Sequence, residues 1–224
     1  MRVGLFVTCV NDLMYPRTGR AVVSILERVG VRVEFPAAQT CCGQMHGNSG
    51  HQGLAAPLRD RFGEVFAGFD AVVSPSGSCV AFLRERYGNV YELSEFLVDV
   101  LETDDVGGAF PHRVTYHPTC HGLRMLHLGD KPLRLLANVS GIELLPLERA
   151  VECCGFGGTF AIKNSAVSSA MLADKCAAVV DTGAEFLAAA DNSCLTHIGG
   201  GLSRRAGKNG GPKAIHYAEI LAAQ

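Results

Sequence analysis

The tripeptide Cys-Cys-Gly occurs twice, at Cys41-Cys42-Gly43 and at Cys153-Cys154-Gly155. Each copy has a lone cysteine upstream, Cys9 or Cys120, and another downstream, Cys79 or Cys194. In intervening residues the two sets read C-x31-CCG-x35-C and C-x32-CCG-x38-C. Eight of the nine cysteines thus fall into one pattern used twice, so the chain is constrained to repeat one folding unit. Self-similarity at a fixed period is the mark of a duplicated frame. The repeats are placed at 1–106 and 107–224, about 110 residues each.

Little else in the composition narrows the function. An apolar fraction of 48% and a charged fraction of 19% in 224 residues describe a globular protein able to bury a core. A formal charge of −2 gives no basis for a nucleic-acid or anionic-membrane partner. No apolar run approaches the ~18 residues of a membrane span. The apolar start, Val3 to Val10, is short, lacks a small-residue cleavage site and recurs internally, so it reads as a strand and not as a secretory signal. That reading places the chain in the cytoplasm. There, patterned cysteines serve metals or redox chemistry, whereas an odd count and strained vicinal pairs argue against a disulfide frame.

The pattern of each half predicts an α/β fold. Arg2 to Thr8 is a short apolar strand that leads to Cys9, and Gly19 to Val29 is a helix with Ala21, Val22, Ile25, Leu26 and Val29 on one face. Val31 to Phe35 follows as a second strand, which completes a right-handed βαβ unit. Leu54 to Phe66 is a helix, and Asp70 to Pro75 is a third strand that leads to Cys79 and a helix to about Tyr87. Asn89 to Tyr91 and a helix over Leu93 to Leu101 close the half, and Glu102 to Gly108 reads as a linker. The order restarts with a strand over Arg113 to His117 that leads to Cys120. A helix over Pro132 to Val139, a strand over Ile142 to Leu145, a helix over Asn164 to Val180 and a strand over Glu185 to Ala189 follow. Tyr91-Glu-Leu-Ser-Glu95 is echoed by Ile215-His-Tyr-Ala-Glu219. The expectation is two pseudo-symmetric halves with parallel sheets flanked by helices. All eight patterned cysteines then lie beyond the C-terminal ends of the strands, where open α/β sheets gather ligands.

Four thiolates are the donor set of a cubane iron–sulfur cluster, and also of tetrahedral zinc, whose usual close-paired spacing is absent. The expected ligands are Cys9, Cys41, Cys42 and Cys79 for one [4Fe-4S] cluster, and Cys120, Cys153, Cys154 and Cys194 for a second. Zinc is the alternative. Glycine after each cysteine pair permits a tight turn and brings amide N–H groups towards sulfur. Cys176 is expected in the core. His46, His51, His117, His121 and His197 read as polar loop or supporting groups, not ligands. Gly155-Phe-Gly-Gly-Thr159 fails as a dinucleotide fingerprint, and Gly199 to Lys213 lacks the spacing and the Ser or Thr of a phosphate loop. The latter stretch reads as a flexible basic loop. No serine–histidine–acid set and no arginine–histidine pair for a 2-hydroxy acid stands out.

This duplicated CCG pattern resembles the cysteine-rich domain family to which the CCG-bearing chain of heterodisulfide reductase belongs. It is similar also to the C-terminal parts of the iron–sulfur subunits of glycolate oxidase and anaerobic glycerol-3-phosphate dehydrogenase. The strings Ser76-Gly-Ser-Cys79, Asp191-Asn-Ser-Cys194 and Cys153-Cys-Gly-Phe-Gly-Gly-Thr-Phe160, on a chain that is little more than the two repeats, resemble the stand-alone members that serve lactate utilisation. The resemblance implies a subunit of an oxidoreductase, not an isolated catalyst, in a three-protein system that oxidises L-lactate to pyruvate. A ferredoxin-type iron–sulfur protein and a third subunit are the implied partners. Heterodisulfide-reductase-like members end each half with C-x-x-C and use five cysteines for a noncubane cluster. Here Ser76 and Asp191 stand at the first cysteine of that pair, so four cysteines per half remain and both residues are expected outside the coordination shell. A thiol–disulfide oxidoreductase and a zinc-stabilised interaction module are the alternative functions.

Overall fold

A computed structural model describes residues 1–207 and 211–224. The first half runs β1 (Val3–Leu5), α1 (Cys9–Met14), α2 (Pro16–Arg28), β2 (Val33–Glu34), α3 (Gln44–Asn48), α4 (Gln52–Phe66), β3 (Ala71–Ser74), α5 (Gly77–Arg84) and β4 (Val90–Glu92). It closes with α6 (Leu93–Glu95), which loosens into one π turn over Phe96–Val100. The second half runs β5 (Arg113–His117), α7 (Cys120–Arg124), α8 (Lys131–Ala137), β6 (Glu143–Leu145), α9 (Phe160–Lys163), α10 (Ser165–Asp181), β7 (Phe186–Ala189), α11 (Asn192–Ala206), β8 (Lys213–His216) and α12 (Tyr217–Ala222). The two sheets have orders β2-β1-β3-β4 and β6-β5-β7-β8, and all their pairings are parallel. Their registers correspond: Val3 lies opposite Val33 and Ala71, as Val114 lies opposite Leu144 and Phe186.

Strand side chains alternate between two environments, as the pleat requires. Val3, Leu5, Ala71 and Val73 of the first sheet, with Val114, Tyr116 and Ala188 of the second, enter one core shared by both halves. Phe6 and Val72 point instead into an outer aromatic cluster under α4 and α5. Leu187 and Ala189 point into a second outer cluster, with Cys176, Ile198 and Leu202. With both faces covered, the strands are near-continuous apolar runs.

The halves interlock through their closing helices. In the shared core, Tyr217, Ile220 and Leu221 of α12 pack with Val22 and Ile25 of α2, and Leu93, Phe96 and Leu97 pack with Leu135 and Leu136 of α8. The Arg28 guanidinium, from the end of α2, donates to the Leu221 and Ala222 carbonyls at 3.1 and 2.9 Å. It therefore caps the last turn of α12, where unsatisfied carbonyls gather.

One stretch departs from the sequence-based expectation. Gly199 to Ala206, expected within a flexible basic loop, is the second half of α11. Leu195, Ile198 and Leu202 recur at helical spacing and are buried. The glycines are there for closeness: a Cβ at Gly201 would lie 2.7 Å from Cys176 Sγ, and one at Gly199 would lie 3.0 Å from Ala214 Cβ. Lys208 and Asn209 lie outside the described residues. Cys176 itself is buried in the core, as expected, with its thiol 3.7 Å from the Ile198 carbonyl.

Candidate metal centre

Both sets of four cysteines converge at the C-terminal ends of the sheets, on the wall of a single cavity of about 280 Å³. Cys9 and Cys120 open α1 and α7, and Cys79 and Cys194 sit in the first turns of α5 and α11. The paired cysteines occupy the loops after β2 and β6. All nine cysteines are free thiols.

The residue before each lone cysteine is strained in the same way. Thr8 has φ 71 and Thr119 has φ 58, a region that β-branched residues rarely adopt. Both are buried, and such conformations persist where the surroundings impose them, at about 1–3 kcal/mol each. They turn the chain abruptly from strand to helix and aim Cys9 and Cys120 into the cavity. The repeated Thr-Cys dipeptide, Thr8-Cys9 and Thr119-Cys120, was the signal available in the sequence.

The glycine of each tripeptide is fixed by conformation and by space. Gly43 has φ +89 and Gly155 has φ +87. A Cβ on Gly43 would lie 3.0 Å from the Ala55 carbonyl oxygen, and one on Gly155 would lie 2.7 Å from that of Ser168. The turn directs amides at sulfur: Gly43 N–H to Cys41 Sγ, Gln44 N–H to Cys42 Sγ and Gly155 N–H to Cys153 Sγ, each at 3.4 Å.

Within a set the thiols form a chain of contacts, with Cys42 Sγ 3.2 Å from Cys79 Sγ. Cys42 and Cys9 donate to Cys41 and hold it well below the usual thiol range; Cys120 and Cys154 do the same for Cys153. Cys9 and Cys120, hydrogen-bonded to those sulfurs, are pushed up, as are the more buried Cys42 and Cys154. In each half the sulfur of the first tripeptide cysteine also faces the N–H of the glycine that follows the pair. Clustered thiols of this kind are a metal-binding donor set.

The cysteine-rich domain (CCG) profile matches residues 3–84 and again 114–199, once on each half. The chain belongs to the CCG cysteine-rich domain family. Among CCG proteins, lactate utilization protein A of Geobacillus kaustophilus is 44% identical, over 100% of this chain and 100% of its own. That of Oceanobacillus iheyensis is 44% identical over 99% of this chain and 96% of its own. Among solved structures, glutamate racemase isoform RacE1 from Bacillus anthracis aligns with 99% of this chain and 78% of its own, at 10% identity and a TM-score of 0.37, too distant to support any argument.

The two positions where this CCG chain has no cysteine touch each other. Ser76 is the N-cap of α5 and Asp191 the N-cap of α11, and Ser76 Oγ donates to Asp191 Oδ2 at 3.2 Å. The same oxygen accepts from Ser78 N–H at 2.9 Å, while Oδ1 accepts from Ser193 N–H and Oγ at 3.1 and 2.6 Å. Four bonds use the acceptor capacity of a carboxylate. Asp191 therefore caps one helix from each half, which supports a role for both residues outside metal coordination. Behind them Asn192 donates to Asn11 and Thr18 at 2.9 and 3.0 Å, so the seam between the two sites is polar and hydrogen-bonded.

Of the histidines, His46 and His51 are exposed. His121 meets Gln44 across the seam at 3.4 Å, and His197 meets Ser168 at 3.4 Å with its ring against Phe156. His117 ends β5, as expected, but it is not a solvated polar group: it is 1% exposed, and neither ring nitrogen has a hydrogen-bond partner among the described residues. Burial lowers its pKa to about 4, so the ring is neutral at physiological pH.

Proposed function

We propose that this protein carries electrons on two thiolate-ligated iron–sulfur clusters, as a subunit of a lactate-utilisation system. Cys9, Cys41, Cys42 and Cys79 would hold one cluster, and Cys120, Cys153, Cys154 and Cys194 the other. The observation that carries the reading is the gathering of eight of nine cysteines, four from each half, on one cavity. Soft thiolates in sets of four suit iron–sulfur clusters, and the names of the full-length relatives supply the metabolic context. When bound, such clusters supply one-electron chemistry.

What the chain contributes follows from its own residues. The cysteines fix position, and the Gly43, Gln44 and Gly155 amides offset thiolate charge. Met14, Met45 and Phe156 give the cavity an apolar rim. Oxidation of a 2-hydroxy acid to a 2-oxo acid releases two electrons and two protons, and two one-electron sites match that count. Among the described residues, no arginine or lysine lines the cavity to bind a carboxylate. Lactate chemistry is therefore assigned to partners, a ferredoxin-type iron–sulfur protein and a third subunit, in the cytoplasm. No helix among the described residues is long and apolar enough to cross a membrane.

The test is anaerobic reconstitution with iron and sulfide, with iron, sulfide, zinc and EPR spectra measured per chain. About eight iron and eight sulfide are expected, with half lost in Cys42→Ser and half in Cys154→Ser. Stoichiometric zinc with no iron uptake refutes electron transfer and leaves a zinc-stabilised interaction module. A second reading, thiol–disulfide exchange, draws on the free Cys41 thiol, faced by the Gly43 N–H, beside the Cys42–Cys79 contact. Reduction of a model disulfide by the cluster-free chain would support it.

A further inference from the structure

The two halves are not equivalent behind their cysteines. His117 occupies the position of Phe6, since both lie three residues before the lone cysteine of their half. Phe6 stacks edge-on against Phe62 at 5.1 Å and Phe66 at 5.8 Å, in an entirely apolar setting. The partner position changes too. The neighbours of the tripeptide glycines, Ala55 and Leu58 on α4 and Ser168 and Met171 on α10, align these helices so that Lys175 stands where Phe62 does. An aromatic pair behind the first site is thus a buried histidine and a buried lysine behind the second.

Lys175 is accounted for: its ammonium donates to the Arg149 carbonyl at 2.7 Å and lies 3.4 Å from that of Ala150. His117 is not. Among the described residues it is the one side chain with two buried polar atoms and no partner for either. Leaving such groups unsatisfied destabilises a fold by about 1–3 kcal/mol per group, and each instance in a native structure calls for a reason. The reason is at hand, because a His117 ring nitrogen, Cys154 Sγ and Cys194 Sγ all lie within 4.8 Å of one another.

We propose that His117 is a metal ligand beside Cys154 and Cys194, with one of Cys120 and Cys153 completing the four donors, so that the second site is a mixed imidazole–thiolate centre while the first is thiolate alone. This rests on the reading that the second cysteine set binds metal, but not on the metal being iron. Imidazole and thiolate together suit divalent zinc, cobalt and iron. A nitrogen donor in one site only would also make the two sites differ in potential, which gives an electron a preferred direction between them.

The experiment uses the full chain with Cys42→Ser and Cys79→Ser, so that the second site alone binds, and titrates the metal-free protein anaerobically with cobalt(II). Sulfur-to-cobalt charge-transfer and ligand-field bands report the donor set. His117→Phe, which installs the residue of the other half, and His117→Asn are compared with the parent. Loss of at least about 100-fold in affinity, with a changed ligand-field spectrum, is expected; loss of a group merely hydrogen-bonded to a ligand costs about 10–100-fold. The metal-free His117→Phe chain is expected to melt a few degrees higher, because the orphaned nitrogens are gone. That result also shows that the variant folds. Unchanged affinity and spectrum in both variants, or no cobalt bound by the parent, overturns the proposal. In the iron-loaded chain, pulsed EPR is expected to show a nitrogen coupling that His117→Phe abolishes. A chain that binds cobalt through His117 yet takes up no iron–sulfur cluster refutes the electron-transfer reading and leaves this proposal standing.

Discussion

Replacing Gly155 by alanine separates two demands that the second tripeptide makes on its glycine. The position is left-handed, φ +87, and a Cβ there would lie 2.7 Å from the Ser168 carbonyl oxygen and 3.0 Å from Met171 Cβ. Gly30, at φ +80 after α2, has nothing within 4 Å of a built Cβ and isolates the conformational part. Left-handed backbone costs an L-residue about 1–2 kcal/mol, offset by about 0.4–1 kcal/mol from the stiffer unfolded chain. Gly30→Ala should therefore destabilise by about 1 kcal/mol. At Gly155 the obstructing oxygen belongs to the backbone of α10 and cannot swing aside, so overpacking adds about 1–3 kcal/mol and the total is about 2–4 kcal/mol. Gly43→Ala should fall between them, because its Cβ would lie 3.0 Å from a carbonyl oxygen. Urea unfolding of the metal-free, reduced protein measures all three. Equal losses at Gly30 and Gly155 would refute the steric argument. The Gly155 variant should also bind metal more weakly than the Gly30 variant, because the displaced amide is the one that faces Cys153 Sγ.

Three further outcomes follow from the buried polar groups and the close helix contact. Glu92 is fully buried and accepts from Tyr217 OH at 2.7 Å and Ser94 N–H at 2.8 Å, yet burial raises its pKa from 4.5 to about 7. Its contribution is fully present below pH ~4.5 and is lost as pH rises through ~7; Glu92→Gln should remove that part of the pH dependence and stabilise at pH 8 by up to about 3 kcal/mol, read by thermal melts at pH 5 and 8. Asp191→Ala removes two helix caps and should cost about 2 kcal/mol in urea unfolding, with hydrogen exchange accelerated at the first turns of both α5 and α11; acceleration at α11 alone would sink the cross-seam role. Gly201→Ala should destabilise by about 1–3 kcal/mol through its 2.7 Å approach to Cys176 Sγ, and Cys176→Ala should rescue much of that loss, so a double-mutant cycle with no coupling would refute the contact.

The duplication and the location of its cysteines were legible because both are carried by spacing. A βαβ unit fixes which strand ends are neighbours, so Cys9, Cys41, Cys42 and Cys79 had to share an edge. The amphipathic face of α2 was equally plain, and Ala21, Val22, Ile25 and Leu26 are buried as expected. Glycine misled at Gly199 to Gly201, where composition points to flexibility but the residues let α11 approach α10 and β8. The Ser76–Asp191 bond was hidden, because nothing local in either half says that the two departures from the cysteine pattern face each other. His117 was discounted as polar, and only its place on an inward-facing strand position shows that it has no water to turn to.

The exchange of closing helices has a consequence for how the protein is made. The apolar face of α2 is completed by α12, and almost the whole chain separates the two in sequence. A ribosome presents the first half with Val22 and Ile25 uncovered throughout synthesis of the second. Domains that fold as they emerge avoid such waiting, and exposed apolar surface of this kind invites chaperones or aggregation. The two cysteine sets are therefore completed together, after translation has passed both, and a chain truncated before Tyr217 leaves the first repeat unfinished as well as the second.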